Sequence, residues 1–257
     1  MRRFLLRLCF LLPIPAVVIA TNVWIDPANI KDEGPFEATA AAMMLRGKNV
    51  GGLNNCNERL LVKALAEGVT AEPEVIVLGS SRSMQIDANC FVGRAFFNGS
   101  ISGAKLEDFL GVYNMLRRRD FEPDLVVMGP DGSLLNPGDV SDRWSSLADE
   151  YHEMDSILGF QSERRFALLG PRQRYLEFAS PAYFRESLKG VIVHGGQERR
   201  YWATENREDR AQVRLADGGL VYGEAVRHRD VEDVNREAMR FATKSNALFG
   251  LDGFSHI

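Results

Sequence analysis

Three short polar segments could carry chemistry, because each follows a stretch of apolar residues that is typical of a β-strand. They are residues 79–83 (GSSRS), 98–103 (NGSISG) and 129–132 (GPDG). A serine hydroxyl between a strand end and a helical turn is exposed, and the N–H groups of that turn can stabilise a developing oxyanion. The three segments are therefore the candidates for a catalytic or ligand-binding site.

The elements that would position these segments predict a parallel α/β sheet. Residues 74–78 (EVIVL) and 124–128 (DLVVM) have the apolar, β-branched character of strands that are buried on both faces. Residues 95–98 (AFFN) predict a third strand from a weaker pattern. Residues 105–120 place apolar side chains at helical spacing. Strands that alternate with helices favour right-handed crossovers, and parallel strands then bring the three polar segments to one edge.

Other elements are predicted on either side of this region. Residues 57–68 are typical of an amphipathic helix that Asn57 caps and a glycine ends. Residues 190–193 (GVIV) indicate a further strand and 232–248 a further helix. The charged stretch 203–217 is expected to form a solvated surface.

The ordered trio of segments resembles the SGNH hydrolase superfamily over residues 74–136. The resemblance implies that Ser81 is the nucleophile, that Gly103 is the glycine whose N–H supports the oxyanion, and that Asp131 stands where the family has asparagine. It also implies a three-layer α/β/α domain of the SGNH or flavodoxin-like kind. The implied activity is that of a serine esterase or O-acyltransferase that works through an acyl-serine on cell-envelope or exported polysaccharide, with no cofactor or metal.

Two departures from the family pattern bear on activity. An ionised carboxylate at position 131 only accepts hydrogen bonds and would repel an oxyanion. The family's Asp-x-x-His is represented only by Asp252 and His256, which are one residue too far apart, and His194 is the second choice for the base. The SGNH-like domain is therefore expected to be incomplete at its C-terminus. The alternative function is an inactive binding or assembly subunit for polysaccharide export or modification.

Arg82 and Asn98 are the candidate substrate-binding residues. Arg82 could hold a carboxylate or phosphate of a polymer, or form a structural ion pair. Asn98 could instead orient its loop through hydrogen bonds to the backbone, which is the preferred interpretation. Residues 79–83 could also cradle a phosphorylated ligand, but no P-loop lysine follows, so nucleotide binding is not expected. The serines that flank Ser81 in this segment are expected to cap a helix.

The N-terminus reads as a membrane-targeting segment. Residues 4–20 are apolar apart from one arginine, and 21–25 can extend them to the length of a span, with Trp24 at the interface. A retained anchor is favoured over a cleaved signal peptide. Arginines precede the segment and acidic residues follow it, which predicts a cytoplasmic N-terminus in the bacterial inner membrane and a periplasmic main domain. The predicted divisions are an anchor (1–25), a juxtamembrane connector (26–56) and the SGNH-like domain (57–257).

The composition of the chain limits which classes of binding partner are expected. The chain has 257 residues, of which 45% are hydrophobic and 26% charged, as in globular proteins with a substantial core. The net charge of -4 and the lack of a basic stripe argue against nucleic acid. The expected partners are the membrane, an acylated envelope polymer and envelope assembly proteins. Cys56 and Cys90 are predicted to be separate buried thiols rather than a disulfide.

Overall fold

The computed structural model describes residues 13–26, 34–53, 56–131, 134, 143–159, 176–181, 184–185, 187–188 and 201–249. The predicted strand at 190–193 lies outside these residues, as do Cys9, His194, Asp252 and His256.

The described chain contains helices and strands that alternate over its central part. The helices are α1 (Pro13–Ile25), α2 (Pro35–Met44), α3 (Glu58–Gly68), α4 (Leu106–Arg117), α5 (Ala148–Leu158), the single turn α6 (Glu224–Arg227) and α7 (Val231–Phe249). The strands are β1 (Asn49–Gly51), β2 (Val75–Gly79), β3 (Phe96–Asn98), β4 (Leu125–Gly129), β5 (Trp202–Thr204), β6 (Val213–Arg214) and β7 (Leu220–Val221).

The predicted parallel sheet is confirmed, with strand order β3-β2-β4. In its register Val75 lies beside Phe96 and Leu125, and Gly79 lies beside Gly129. Every residue of the central strand β2 is buried, as its β-branched sequence predicts. The edge strand β4 is equally apolar but is largely exposed, with Met128 at 53%. The same residue pattern therefore has two outcomes, because the burial of a strand depends on what packs on its faces and not on its own sequence.

Helices α3, α4 and α5 pack against one another beside this sheet. Ile76 and Leu78 of β2 share one buried cluster with apolar residues of α3 and α4. Full burial of each such side chain contributes about 1.5–3 kcal/mol. The predicted cap of α3 is confirmed, since the Asn57 side chain accepts hydrogen bonds from two N–H groups of the first turn. The predicted helix at 232–248 is also confirmed, as α7.

The connector predicted over residues 26–56 is wrong in part, because α2 and β1 belong to the folded unit. Small side chains at Ala40 and Ala41 are buried where α2 packs on α3. Strand β1 pairs antiparallel with β5 and β6 and completes a second sheet of order β5-β1-β6-β7. The alanine-rich stretch therefore serves close helix packing.

The solvated surface predicted over residues 203–217 is also wrong in part. Residues 205–208 are exposed, but Val213, Arg214 and Leu215 are buried in and beside β6. Only two residues of β6 have strand geometry, so the strand is too short to show an alternating pattern. Its pairing with β1 comes from the distant residues 50–51.

The β6–β7 hairpin joins the two sheets at the carboxyl end of β3. The Asp217 carbonyl accepts a hydrogen bond from the Asn98 N–H at 2.8 Å, and Asp217 Oδ2 accepts one from the Ala88 N–H at 2.9 Å. Gly218 has φ of 88°, and a Cβ there would overlap the Asn98 carbonyl. A glycine is thus required at the hairpin tip both for its backbone angle and for this close approach.

Helix α1 packs through one polar residue and exposes most of its apolar side chains. Asn22 is buried, donates to the Phe178 carbonyl at 2.8 Å, and accepts from the Ser187 hydroxyl at 3.0 Å. Trp24 is 83% exposed. None of the helices in the described part combines the length and the apolar character needed to cross a bilayer. Residues 1–12 of the predicted segment lie outside that part.

Candidate functional site

The described residues of the three polar segments lie at one edge of the parallel sheet, where β2, β3 and β4 end. The Gly99 N–H donates to the Val77 carbonyl at 2.8 Å, and the Ile101 N–H donates to the Gly79 carbonyl at 3.0 Å. The pairing of β2 with β3 therefore continues past β3. This continuation holds the second segment, 98–103, beside the end of β2.

Ser81 lies in the helical turn that follows β2. The Ser80 carbonyl accepts hydrogen bonds from the N–H groups of Ser83 (3.0 Å) and Met84 (3.3 Å), which closes the turn. Ser80 is buried whereas Ser81 is half-buried, so Ser81 is the member of the pair that reaches the surface. We find no acceptor for the Ser81 N–H among the described residues, which leaves this donor available to a ligand.

Ser83 does not cap a helix as predicted but fills the space between two strand ends. Its Oγ lies where a Cβ on Gly79 or on Gly129 would have to be. Ser80 makes no side-chain cap either, since its buried Oγ has no hydrogen-bond partner in the described structure. Gly79 and Gly129, the first residues of their polar segments, are therefore required by the packing of Ser83.

Asn98 orients both loops around it. Its side chain is 0% exposed, and Nδ2 donates to the carbonyls of Ser83 (2.9 Å) and Ile86 (2.7 Å). Its Oδ1 accepts from the Ser100 N–H at 2.8 Å. These contacts correspond to the preferred interpretation of Asn98 as a loop-orienting residue. Its amide is occupied by the backbone and does not face a substrate.

Gly103 ends the second segment at the surface. Its φ is 60°, in the left-handed region that favours glycine, and no atom lies within 3.9 Å of the position that a Cβ would take. The nearest atom there is Nη1 of Arg143. Within the described chain the Gly103 N–H has no acceptor. The glycine is thus needed for backbone conformation, and its N–H is free to meet a ligand.

The loop that carries Gly103 is held by groups that sequence reasoning did not identify. The Glu58 carboxylate accepts from the Ser102 N–H (2.6 Å) and from the Ser102 Oγ (3.1 Å). The Ser102 Oγ also lies 3.9 Å from Met84 Sδ, so this loop contacts the turn that carries Ser81. Glu58 follows the cap of α3, a position that predicts only a favourable interaction with the helix dipole.

Asp131 is paired with Arg82. The distance from Arg82 Nη1 to Asp131 Oδ1 is 3.4 Å, and the Asp131 side chain is 22% exposed. This contact corresponds to the structural ion pair that was one of the two interpretations of Arg82. Such a pair at the surface contributes at most about 1 kcal/mol, so a ligand could displace it.

Neither described histidine contacts Ser81. His152 of α5 lies against Trp144 and Tyr151, and the backbone N–H of His228 donates to the Glu224 carbonyl at the end of α6. The group that does reach Ser81 is Tyr222, whose hydroxyl is 3.5 Å from the Ser81 carbonyl. Tyr222 directly follows β7, so only the docking of the hairpin could have revealed it.

The cysteines and the candidate metal ligands are the remaining reactive side chains of the described residues. The described residues hold no group of three or more His, Cys, Asp or Glu side chains that could bind a metal ion. Cys56 and Cys90 are both free, as predicted, but Cys56 is half-buried and Cys90 is exposed, whereas both were predicted to be buried. Burial, followed by the nearby Glu37 carboxylate, raises the pKa of the Cys56 thiol well above its usual range.

Comparisons of the chain with family models, with curated proteins and with solved structures found no match. The resemblance to the SGNH superfamily therefore depends on the three polar segments and on their arrangement at one edge of a parallel sheet.

Proposed function

We propose that this protein is a membrane-tethered, extracytoplasmic serine esterase or O-acyltransferase of the SGNH type. Its substrate would be an acylated cell-envelope or exported polysaccharide. One observation carries the proposal: a half-buried serine follows the fully buried central strand, in a closed helical turn, beside a second loop that ends in an exposed glycine. This is the placement that a nucleophilic serine requires.

In the proposed reaction the Ser81 Oγ attacks the carbonyl carbon of the ester. The free N–H groups of Ser81 and Gly103 donate to the oxyanion, which then collapses to an acyl-serine as the sugar alkoxide leaves. Water or a sugar hydroxyl attacks the acyl-serine and regenerates Ser81. The candidate base that takes the Ser81 proton and later returns it to the leaving oxygen is His256 oriented by Asp252, which lie outside the described residues.

Asp131 cannot donate to the oxyanion as the family's asparagine would. Its contact with Arg82 offsets the negative charge that would otherwise repel the intermediate. The proposed oxyanion site therefore has two backbone donors, the N–H groups of Ser81 and Gly103.

The proposal also places the protein at a membrane, through its N-terminal segment. Three exposed apolar side chains of α1, Ile14, Val17 and Trp24, support contact with lipid, and the apolar residues 4–12 precede this helix in the sequence. We propose a single N-terminal anchor in the bacterial inner membrane and a periplasmic domain of the three-layer α/β/α kind.

The test is labelling of the full-length protein, in detergent, with a fluorophosphonate probe. The wild-type protein is expected to be labelled and Ser81→Ala is not, because the probe forms a bond with an activated serine Oγ. Ser156→Ala is the matched control, since Ser156 is an exposed serine of α5 outside the three polar segments, and it should be labelled like the wild type. A wild-type protein that fails to react, or a Ser81→Ala variant that still does, contradicts the proposal.

A second candidate function is an inactive binding or assembly subunit for polysaccharide export or modification. The Asp131–Arg82 pair favours it, as does the absence of a hydrogen bond between Ser81 and either described histidine. In this case Ser81→Ala should bind polysaccharide as the wild type does, while Arg82→Gln should bind it more weakly. Loss of binding or of the cellular phenotype in Ser81→Ala would argue against it.

A further inference from the structure

A small cavity lies between α3 and the antiparallel sheet. Its volume is about 100 Å³. Because a cavity needs roughly 10–15 Å³ on this measure to hold one water molecule, the space suits a ligand group of a few heavy atoms. The residues around it are Leu53, Cys56, Glu58, Leu61, Gln212, Arg214 and Leu220.

Arg214 brings an unpaired positive charge to this cavity. It is 3% exposed, Nη2 donates to the Ser100 carbonyl at 3.1 Å, and Nε has no hydrogen-bond partner. No carboxylate of the described residues forms an ion pair with it. Burial lowers the pKa of its guanidinium, because a buried cation loses the solvation that water provides.

Another buried arginine shows how this fold satisfies such a group. Arg59 is nearly as buried, and its Nε and Nη2 each donate to one oxygen of the Asp108 carboxylate at 2.7 Å. The two-pronged contact supplies both charge and hydrogen bonds. The Arg214 guanidinium also needs a negative charge and hydrogen-bond acceptors beside it, but among the described residues only the Ser100 carbonyl accepts from it.

The Glu58 carboxylate of the cavity acts on Arg214 through its charge but forms no ion pair with it. Both oxygens of Glu58 are engaged by Ser102. The Cys56 thiol is neutral, because burial raises its pKa. The Gln212 amide donates to the Leu53 carbonyl at 3.0 Å. The remaining walls are leucine side chains, which suit the short apolar part of a ligand.

We propose that the cavity binds a small carboxylate, which pairs with Arg214. The Ser102 N–H and Oγ hold the Glu58 carboxylate, which leaves Arg214 Nε for the ligand. Since Arg214 also holds the Ser100 carbonyl, an occupied site would stiffen the loop that ends in Gly103. The site does not depend on the proposed reaction at Ser81.

The experiment measures thermal unfolding of the full-length protein over a series of sodium acetate concentrations, with sodium chloride at matched ionic strength. Acetate is expected to raise the Tm of the wild type along a saturating curve, because a ligand that binds only the folded state stabilises it. Arg214→Gln should lose this shift. The matched control is Arg210→Gln, which changes an exposed arginine nearby and should keep it.

Leu220→Phe provides a second variant if Arg214→Gln fails to fold. It retains the arginine and fills part of the cavity, so its acetate shift should be lost or strongly reduced. The proposal is overturned if acetate changes the Tm no more than chloride does, or if either cavity variant keeps the wild-type shift. It is also overturned if phosphate produces a Tm shift that requires Arg214 while acetate produces none.

Discussion

The thiol of Cys56 makes the stability of the protein sensitive to alkaline pH. Burial and the Glu37 carboxylate raise its pKa in the folded state above the unfolded value of about 8.5. The stabilisation is therefore present below about pH 8.5 and is lost as the pH rises, since the unfolded chain releases the proton first. We expect the urea midpoint to fall more between pH 8 and pH 10 in the wild type than in Cys56→Ala. Cys90→Ala, which changes an exposed thiol, should behave like the wild type.

The contact of Ser83 with two glycines gives a prediction about the strand ends. In Gly129→Ala the new methyl group would overlap the Ser83 Oγ, and this side chain is buried with little room to move. We expect a loss of about 1–3 kcal/mol in the free energy of unfolding, as is typical of overpacking. The double variant Gly129→Ala/Ser83→Ala should recover part of that loss in urea titrations. Additive effects of the two substitutions would contradict the proposed contact.

Among the elements, α3 and α4 are tied together by the Arg59–Asp108 pair. Asp108 also accepts from the Lys105 N–H at 2.8 Å, so one carboxylate both caps α4 and neutralises Arg59. Removal of one partner leaves the other charge buried. Arg59→Met is therefore expected to lower the free energy of unfolding by about 3–5 kcal/mol.

The exposed ion pair of α7 provides the matched control for Arg59→Met. Arg236 contacts Asp233 one turn away, with both side chains at least half exposed. Arg236→Met should change the free energy of unfolding by less than about 0.5 kcal/mol in the same urea titration. If the two variants lost similar stability, the buried pair would not be what holds α3 to α4.

At the scale of the whole molecule, Asp217 couples the antiparallel sheet to the parallel one. Its carboxylate accepts from the N–H groups of Ala88 (2.9 Å) and Gly219 (2.8 Å). Asp217→Ala leaves both donors without this acceptor, a loss of about 1–3 kcal/mol. We expect amide hydrogen exchange at these two positions to become at least about tenfold faster, while the amides of β2 keep their protection.

The exposed acid Glu205 allows a comparison within the same sheet. Its carboxylate pairs with the exposed Lys48 at the edge, so Glu205→Ala should leave exchange at Ala88 unchanged. If Asp217→Ala also left it unchanged, the hairpin would be held to the parallel sheet by backbone contacts alone.

Local pattern in the sequence determined the strands of the parallel sheet, helices α3, α4 and α7, and the position of Ser81 after β2. Each of these depends on side-chain spacing, capping or turn chemistry within a few residues of itself. The same reasoning assigned Gly103 to the second loop, because parallel strands end at a common edge.

Tertiary structure alone decided where the charges and the shortest elements lie. Strand β6 is buried because β1, more than 160 residues earlier, pairs with it, as in the contact of Val50 with Arg214. The contacts of Arg82 with Asp131 and of Tyr222 with Ser81 likewise join different loops. From the sequence alone a charged residue is predicted to be exposed to solvent, since the spacing of its neighbours does not reveal which distant segment will cover it. Its burial is set by contacts that form only when the sheets dock.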